Sequence, residues 1–392
     1  MPAASRTTRR TETRTMTTEP PATMRAAVLR GDAPALEILE IAVPTPKAGE
    51  ALVKVLACGV CHTDLHVVKG EVAFPRPAVM GHEISGTIVA IGDGTQDARG
   101  LAVGDAVVGA FIMPCGACEF CDKGRDDMCA NFFGQNRLKG TLYDGESRLS
   151  MPDGSFLAQY SMGGLAEYSV VPLTALAALP DALDPVSAAV LGCAAFTSYG
   201  AVHRAGHVEP GDSVAVVAVG GVGSGVVQVA KAAGADPIIA IDVAADKLEA
   251  ARTLGATHTV NSREVDAVAA VREITGGRGV DVAFEALGHP ATFEQAVGTL
   301  ADGGRMVAIG IAAGDAAAAV KITPLVRRGY TLTGSFGART REDLPATVAL
   351  AASGGFDVEG LVTRRYPLAD ADAAYQALAR GEITGRAVVV MD

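Results

Sequence analysis

A run of buried-strand character, Ser213–Val219 (SVAVVAV), passes directly into Gly220-Gly221-Val222-Gly223 and then into an apolar helix over 226–233. A second apolar strand, 237–241 (PIIAI), ends at Asp242, nineteen residues past Gly223. Strand, glycine turn, helix, strand and terminal acid make a βαβ unit, which commits the chain to a parallel sheet covered by helices. The glycines let backbone N–H groups approach an anion at a helix N-terminus, the place of a dinucleotide pyrophosphate. Asp242 is set to accept from both hydroxyls of the adenosine ribose, and its charge repels a 2′-phosphate. The pattern therefore favours NAD over NADP. Ala218 stands where the G-x-G-x-x-G pattern has its first glycine, so a glycine-rich turn in an ordinary α/β unit remains an alternative here. The apolar stretch 213–230 is almost long enough to span a bilayer, but its four glycines suit a strand, turn and helix better.

Cysteine placement is the second constraint. Of seven cysteines, four fall in one stretch as C-x2-C-x2-C-x7-C: Cys115, Cys118, Cys121 and Cys129. Neighbours this close make geometrically poor disulfides, whereas four thiolates on a loop eased by Gly116 and Gly124 suit tetrahedral Zn2+. An iron–sulfur cluster or four reduced thiols are the alternatives. Four sulfur ligands leave no open position, so a zinc ion there is structural. Cys61, His82 and the distant Cys193 make a second set, one that with water in the fourth position is a catalytic-zinc arrangement. Spacing alone does not pair these segments, and Cys193, between Gly192 and Ala194, also reads as a small core residue, as does Cys58.

The 392 residues indicate two domains, and 49% hydrophobic against 20% charged residues describes a globular chain. A net charge of −11 argues against nucleic acid and anionic membranes, which need a basic face. Absent Trp and 5% aromatics argue against base-stacking platforms. Residues 1–23, rich in Thr and Arg with Pro20 and Pro21, have no apolar core for a secretory signal and read as a disordered tail. A cytoplasmic location is expected.

Together the motifs resemble the zinc-containing alcohol dehydrogenases of the medium-chain dehydrogenase/reductase superfamily, from about Met24 to Asp392. The resemblance rests on GHE at 81–83, the four-cysteine stretch, GCAAFTSYG at 192–200 and AVGGVG at 218–223. It implies an α/β protein in which a GroES-like β-rich catalytic domain (24–194) precedes a Rossmann doubly wound sheet (195–335), with 336–392 returning to the catalytic domain. It also implies two zinc ions per chain, NAD, and a homodimer or homotetramer. Cys61, His82 and Cys193 become the catalytic zinc ligands, Glu83 an acid beside the metal, and Asp64 the carboxylate that orients His82. Thr63 matches the hydroxyl that takes the substrate proton, and His66 the surface histidine that releases it. His62 and Arg386 match contacts to the pyrophosphate, Lys247 one to the adenosine ribose, and Thr197 and Val222 contacts to the nicotinamide and its ribose.

The reaction so implied is reversible oxidation of a small-molecule alcohol to an aldehyde or ketone, with hydride passing to the nicotinamide. Phe111 and Val72 match positions that line the substrate pocket, and their apolar character favours a primary, allylic or aromatic alcohol over a polyol. Thiol-dependent formaldehyde oxidation is the runner-up, because the stretch after Cys129 reads ANFFG, without the arginine those enzymes place near the pocket mouth. A non-enzymatic relative would have no reason to keep Cys61, Thr63, His66, His82, Cys193 and Asp242 together. A tightly held, non-exchanging NAD is not distinguished from an exchanging one.

Overall fold

The computed structural model describes residues 20–391, apart from Asp32 and Ala313. Most of the expected N-terminal tail lies outside the described residues, and the first strand begins at Thr23.

The apolar run identified first becomes the centre of a six-stranded, all-parallel sheet. Its order is His258–Asn261, Ile238–Asp242, Val214–Val217, Val280–Glu285, Leu300–Ala308 and Thr331–Gly334. Both faces are covered, which is why the strands read as unbroken apolar runs instead of alternating ones. Val214, Val216, Ile238 and Phe284 enter one core, and Ala215, Val217, Ile239 and Ile241 enter the other. This is the Rossmann-type layer.

The remaining chain is β-rich. Glu50–Val60 is the axis of a second sheet, antiparallel to Ile84–Ile91 and to Tyr168–Pro172. That sheet continues through Ala106–Gly109 to Leu176–Ala178. On its other side it takes Arg386–Val390, antiparallel, and then Val362–Pro367. A four-stranded sheet of Leu36–Ala42, Thr23–Leu29, Ala78–Val79 and Ala158–Gln159 completes the GroES-like layer. The helix Thr340–Ala352 anchors between layers, because Arg341 pairs with buried Asp126 at 2.7 Å and Asp343 pairs with Arg204 at 2.8 Å. The fold is α/β, as the sequence indicated, although several boundaries differ. The glycine-rich helix starts at Gly221, not 226, and the strand read as 213–219 is the shorter Val214–Val217.

Candidate metal centres and dinucleotide site

The four-cysteine stretch folds into a lobe in which the sulfurs of Cys115, Cys118, Cys121 and Cys129 all lie within 4.8 Å of one another. All seven cysteines are free thiols. The pairs Cys115–Cys121 and Cys118–Cys129 stand 4.0 Å apart. Four sulfurs at about 2.3 Å from a tetrahedral zinc would be about 3.8 Å apart, so the spacing fits one ion and is too tight for an iron–sulfur cube. Cys115 N–H points at Cys129 Sγ (3.3 Å) and Phe132 N–H at the same sulfur (3.4 Å), but burial outweighs both donors and leaves that thiol raised to about 11. Burial pushes the Cys118 thiol up, but N–H groups of Cys121 and Ala130 outweigh it and hold the thiol at about 6. Gly116 and Gly124 both adopt the left-handed conformation that lets so short a loop bring four sulfurs together.

The second centre gathers residues from three segments. Cys61 follows the strand Glu50–Val60 at the N-cap position of the helix His62–Val68; His82 and Glu83 lead into Ile84–Ile91; Cys193 precedes the helix Ala194–Tyr199. Their ligand atoms also lie within 4.8 Å of one another, and all four residues are buried. Glu83, expected beside the metal, thus comes within ligating reach. Its Oε1 contacts the Arg386 guanidinium, while the buried Oε2 has no hydrogen-bond partner. The oxygen nearer His82 Nε2, at 3.6 Å, is the Arg386-bound Oε1, and a carboxylate beside two thiols and an imidazole is a donor set that a borderline-soft divalent cation satisfies. Burial, opposed by Arg386, leaves the Glu83 carboxyl raised to about 7. The adjoining guanidinium is held above its ordinary value by Glu83 and the two thiols despite its burial, and it keeps its charge. Cys61 is held well below the usual thiol range, first by Cys193 and then by His82 against burial, while Cys193 is pushed up by Cys61 and by burial. A cation between the two sulfurs would stabilise both as thiolates.

His82 has its Nδ1 2.9 Å from Asp64 Oδ2, off the line of the ring N–H, which leaves Nε2 facing the metal site. Asp64 is fully buried and is itself fixed by Gly81 N–H and the Tyr375 hydroxyl, each at 3.1 Å. Gly81 has φ +97°, and a Cβ there would meet Cys58 Sγ and Leu165 N at 2.7 Å, so only glycine delivers His82 to this place. Cys58 is a core residue whose thiol burial pushes up.

Thr63 and His66 lie on one face of His62–Val68. Thr63 Oγ1 is 3.6 Å from Cys61 Sγ, and His66 is exposed and contacts Glu71. His62 is exposed at the start of that helix, and crowding together with Arg386 and Lys247 lowers its pKa. Phe111 packs edge-on to His82 (ring centres 6.0 Å) and to Phe336 (5.4 Å). Val72 is 45% exposed in the turn after the helix, where its N–H bonds back to His66 O. Sequence reasoning missed Tyr375, Tyr160, Phe336 and Glu71; all but Glu71 come from segments remote along the chain.

The glycine turn lies against this centre. Gly220 caps the helix Gly221–Ala232, and a Cβ on Gly223 would sit 2.0 Å from Ala218 O. Close packing of strand and helix therefore requires Gly223, leaving the first N–H groups of the helix clear for an anion. Ala218 itself has φ +69°, so alanine bears the left-handed backbone that glycine has elsewhere. Asp242 ends its strand, buried, with Oδ2 accepting from Val219 N–H (2.9 Å) and Oδ1 from Val243 (2.8 Å) and Ala244 (3.1 Å). Lys247 is exposed on the helix Ala245–Leu254. Thr197 is buried on Ala194–Tyr199, whose Ser198 hydroxyl donates to Val222 O at 2.9 Å and so fastens the Cys193 helix to the glycine-rich one. Arg386 spans the two sites. Paired with Glu83, it also lies where a Cβ on Gly221 would meet its Cδ at 3.1 Å.

Comparison with known proteins settles the family. Residues 47–181 match the alcohol dehydrogenase GroES-like domain, and residues 221–353 match the zinc-binding dehydrogenase domain. S-(hydroxymethyl)glutathione dehydrogenase of Escherichia coli is 35% identical over 91% of this chain and 97% of its own. The chain belongs to the zinc-containing alcohol dehydrogenases. Among solved structures, benzyl alcohol dehydrogenase from Acinetobacter calcoaceticus superposes with a TM-score of 0.87 at 32% identity, over 94% of this chain and 99% of that one. An alcohol dehydrogenase zinc-binding domain protein from Burkholderia ambifaria gives 0.88 at 34%, with the same coverages. This alcohol dehydrogenase is therefore a zinc- and NAD-dependent oxidoreductase of the medium-chain superfamily.

Proposed function

We propose that the enzyme reversibly oxidises primary aromatic or allylic alcohols to aldehydes with NAD, its catalytic zinc held by Cys61, His82 and Cys193 and its structural zinc by Cys115, Cys118, Cys121 and Cys129. The observation that carries this reading is the buried cluster of Cys61, His82, Cys193 and the half-unpartnered Glu83, set beside Phe111 and fastened to the glycine turn. Zinc bound there supplies a Lewis acid for the substrate oxygen, and NAD a hydride acceptor. Thr63 takes the hydroxyl proton, and exposed His66, one turn along the same helix, delivers it to water. Phe111, Phe196 and Phe336 keep the reacting carbon dry. Asp242 orients the adenosine ribose, and the N–H groups following Gly220, with Arg386 and His62 alongside, hold the pyrophosphate.

The chain divides, in this reading, into catalytic residues 24–194 and 336–392 and dinucleotide-binding residues 195–335. A second copy is the natural partner. Thr331–Gly334 ends its sheet as an edge strand, and nearby segments expose Leu287, Ile311, Ile322 and Val326 at 56–75%. No described helix is long and apolar enough to cross a membrane, and the cytoplasm is the proposed compartment. A steady-state screen of alcohols and aldehydes with NAD+ and NADH, with metal measured on the same sample, tests the whole reading. S-hydroxymethylglutathione belongs in that screen because the Escherichia coli relative is named for it. Faster turnover of that adduct than of benzyl alcohol would replace the aromatic reading with the thiol-dependent one.

A further inference from the structure

Beside the metal centre, among the described residues, the Tyr160 hydroxyl has no acceptor and Arg137 has no carboxylate partner. Arg137 ends the helical turn Phe132–Arg137, half-buried, with its guanidinium carbon 4.4 Å from the centre of the Tyr160 ring. Among the described residues it forms no ion pair, and Tyr160 is the neighbour it acts on. Tyr160 is 1% exposed and stands edge-on to His82, with ring centres 6.3 Å apart. Its other edge-on neighbour is Phe74 at 4.9 Å, and its phenol oxygen is buried without a hydrogen-bond partner. The cation is thus one ring's remove from a metal ligand.

A buried hydroxyl left unpaired is unfavourable, and such groups in folded proteins have partners or a function that explains them. A half-buried guanidinium without a carboxylate is similarly unusual, although a solvated arginine that merely shields the ring would also place it there. The two together are better explained by an acceptor that arrives with the substrate. The planar fork of Arg137, steadied over the Tyr160 ring, presents parallel N–H groups of the spacing a carboxylate takes in bidentate fashion. Phe111, which also faces His82, leads to Phe336 and Phe133, an apolar wall suited to an aromatic body.

We propose that Arg137 and the Tyr160 hydroxyl form a carboxylate subsite, and that the preferred substrate is an aromatic alcohol or aldehyde carrying a carboxylate at the end remote from the reacting carbon. The carboxylate is bound and left unchanged. This inference rests on the alcohol-oxidation reading above and narrows it. It differs from the family's thiol-dependent branch, because the cation lies in a different part of the segment after Cys129, where the sequence shows only ANFFG.

The test compares 4-(hydroxymethyl)benzoate with its methyl ester on the zinc-loaded enzyme with NAD. The wild type should favour the acid by about tenfold or more in kcat/KM, and Arg137→Met should lower the acid by roughly 10- to 100-fold while the ester moves less than about threefold. Tyr160→Phe should lower the acid by about 3- to 10-fold. Arg137→Lys keeps the charge without the fork, and it serves if the Met variant folds poorly; its loss on the acid should be smaller. Calorimetric titration with benzoate supplies a readout apart from turnover: heat with the wild type and none with Arg137→Met at equal zinc content. Equal use of acid and ester by the wild type, or equal losses on both in Arg137→Met, overturns the subsite and leaves alcohol oxidation standing. If neither alcohol yields NADH, the reaction reading falls, and the benzoate titration still decides whether the subsite exists.

Discussion

Replacing Asp242 with Asn keeps the side chain's shape and removes its charge, and the structure shows what each carboxylate oxygen does at present. Oδ1 takes two amides, from Val243 and Ala244, and Oδ2 takes the buried N–H of Val219. An asparagine has one accepting atom. Turned toward the Val243 and Ala244 amides, it leaves its NH2 facing the Val219 N–H, donor against donor. Losing that charge-assisted bond and leaving a buried donor unpaired costs about 1.5–3 kcal/mol. For a sheet of this size the melting temperature should fall by roughly 2–4 °C for each kcal/mol lost. On the ligand side, the ribose keeps one uncharged acceptor instead of a carboxylate. That weakens the transition state with NAD by another ~1.5–3 kcal/mol, or about 10- to 200-fold in kcat/KM. The penalty on a 2′-phosphate disappears at the same time, so the NAD/NADP ratio should fall by well over tenfold. The assay is initial rate against each coenzyme at saturating alcohol, with alcohol KM and zinc content as controls that should stay near wild type. A wild type that already prefers NADP, or a ratio that does not move in Asp242→Asn, would refute the assignment. Asp242→Gly is the poorer choice because it strips all three amides of their acceptor together.

Three further outcomes follow from separate parts of the molecule. Cys129→Ser should lower the metal content from about two zinc per chain to about one and reduce thermal stability, since an open three-thiolate site binds less tightly; a variant that stays stable yet loses turnover at once would mean the two zinc sites are assigned the wrong way round. Ala218→Gly relieves a left-handed alanine worth about 1–2 kcal/mol but gives back about 0.4–1 kcal/mol in unfolded-chain entropy. It should raise the melting temperature slightly, with NAD KM within about twofold of wild type, and a clear fall would show that the turn holds no such strain. Burial works to raise the Asp281 carboxyl, but the Ser213 N–H and hydroxyl, at 2.8 and 2.6 Å, outweigh it and hold the group below its ordinary value. Its native-state pKa lies below the unfolded one, so its contribution is present above the ordinary carboxylate range and lost as pH falls through it. Asp281→Asn should therefore shrink the drop in melting temperature between pH 6 and pH 3, and an unchanged drop would dismiss the pair as a source of acid sensitivity.

Legibility from sequence followed the range of the interactions. The cysteine lobe and the glycine turn were readable because each is closed by residues a few positions apart, where spacing alone restricts geometry. The join between Cys61, His82 and Cys193 needed family resemblance, since three segments meet there. Tyr375 was invisible because its bond to Asp64 crosses 311 positions, and the Arg386–Glu83 contact crosses 303. Arg386 was expected only at the pyrophosphate, and its burial against Glu83 carries no local pattern. The Asp242 carboxylate was legible as a ribose acceptor but not as a fastener of the turn, because its partners are backbone amides.

The pairing of Arg386–Val390 with the strand Glu50–Val60 also ties the metal-bearing segment to residues more than 300 positions further along the sequence. The parallel sheet uses residues 214–334 and is complete once they have left the ribosome. In the sheet that carries Cys61 and leads into His82, residues 50–54 of Glu50–Val60 pair along one edge with Tyr168–Pro172, but on that edge residues 57–60, just before Cys61, have their partner only in Arg386–Val390. A stop codon only a few residues early would remove a neighbour of the metal-bearing strand, not a dispensable tail.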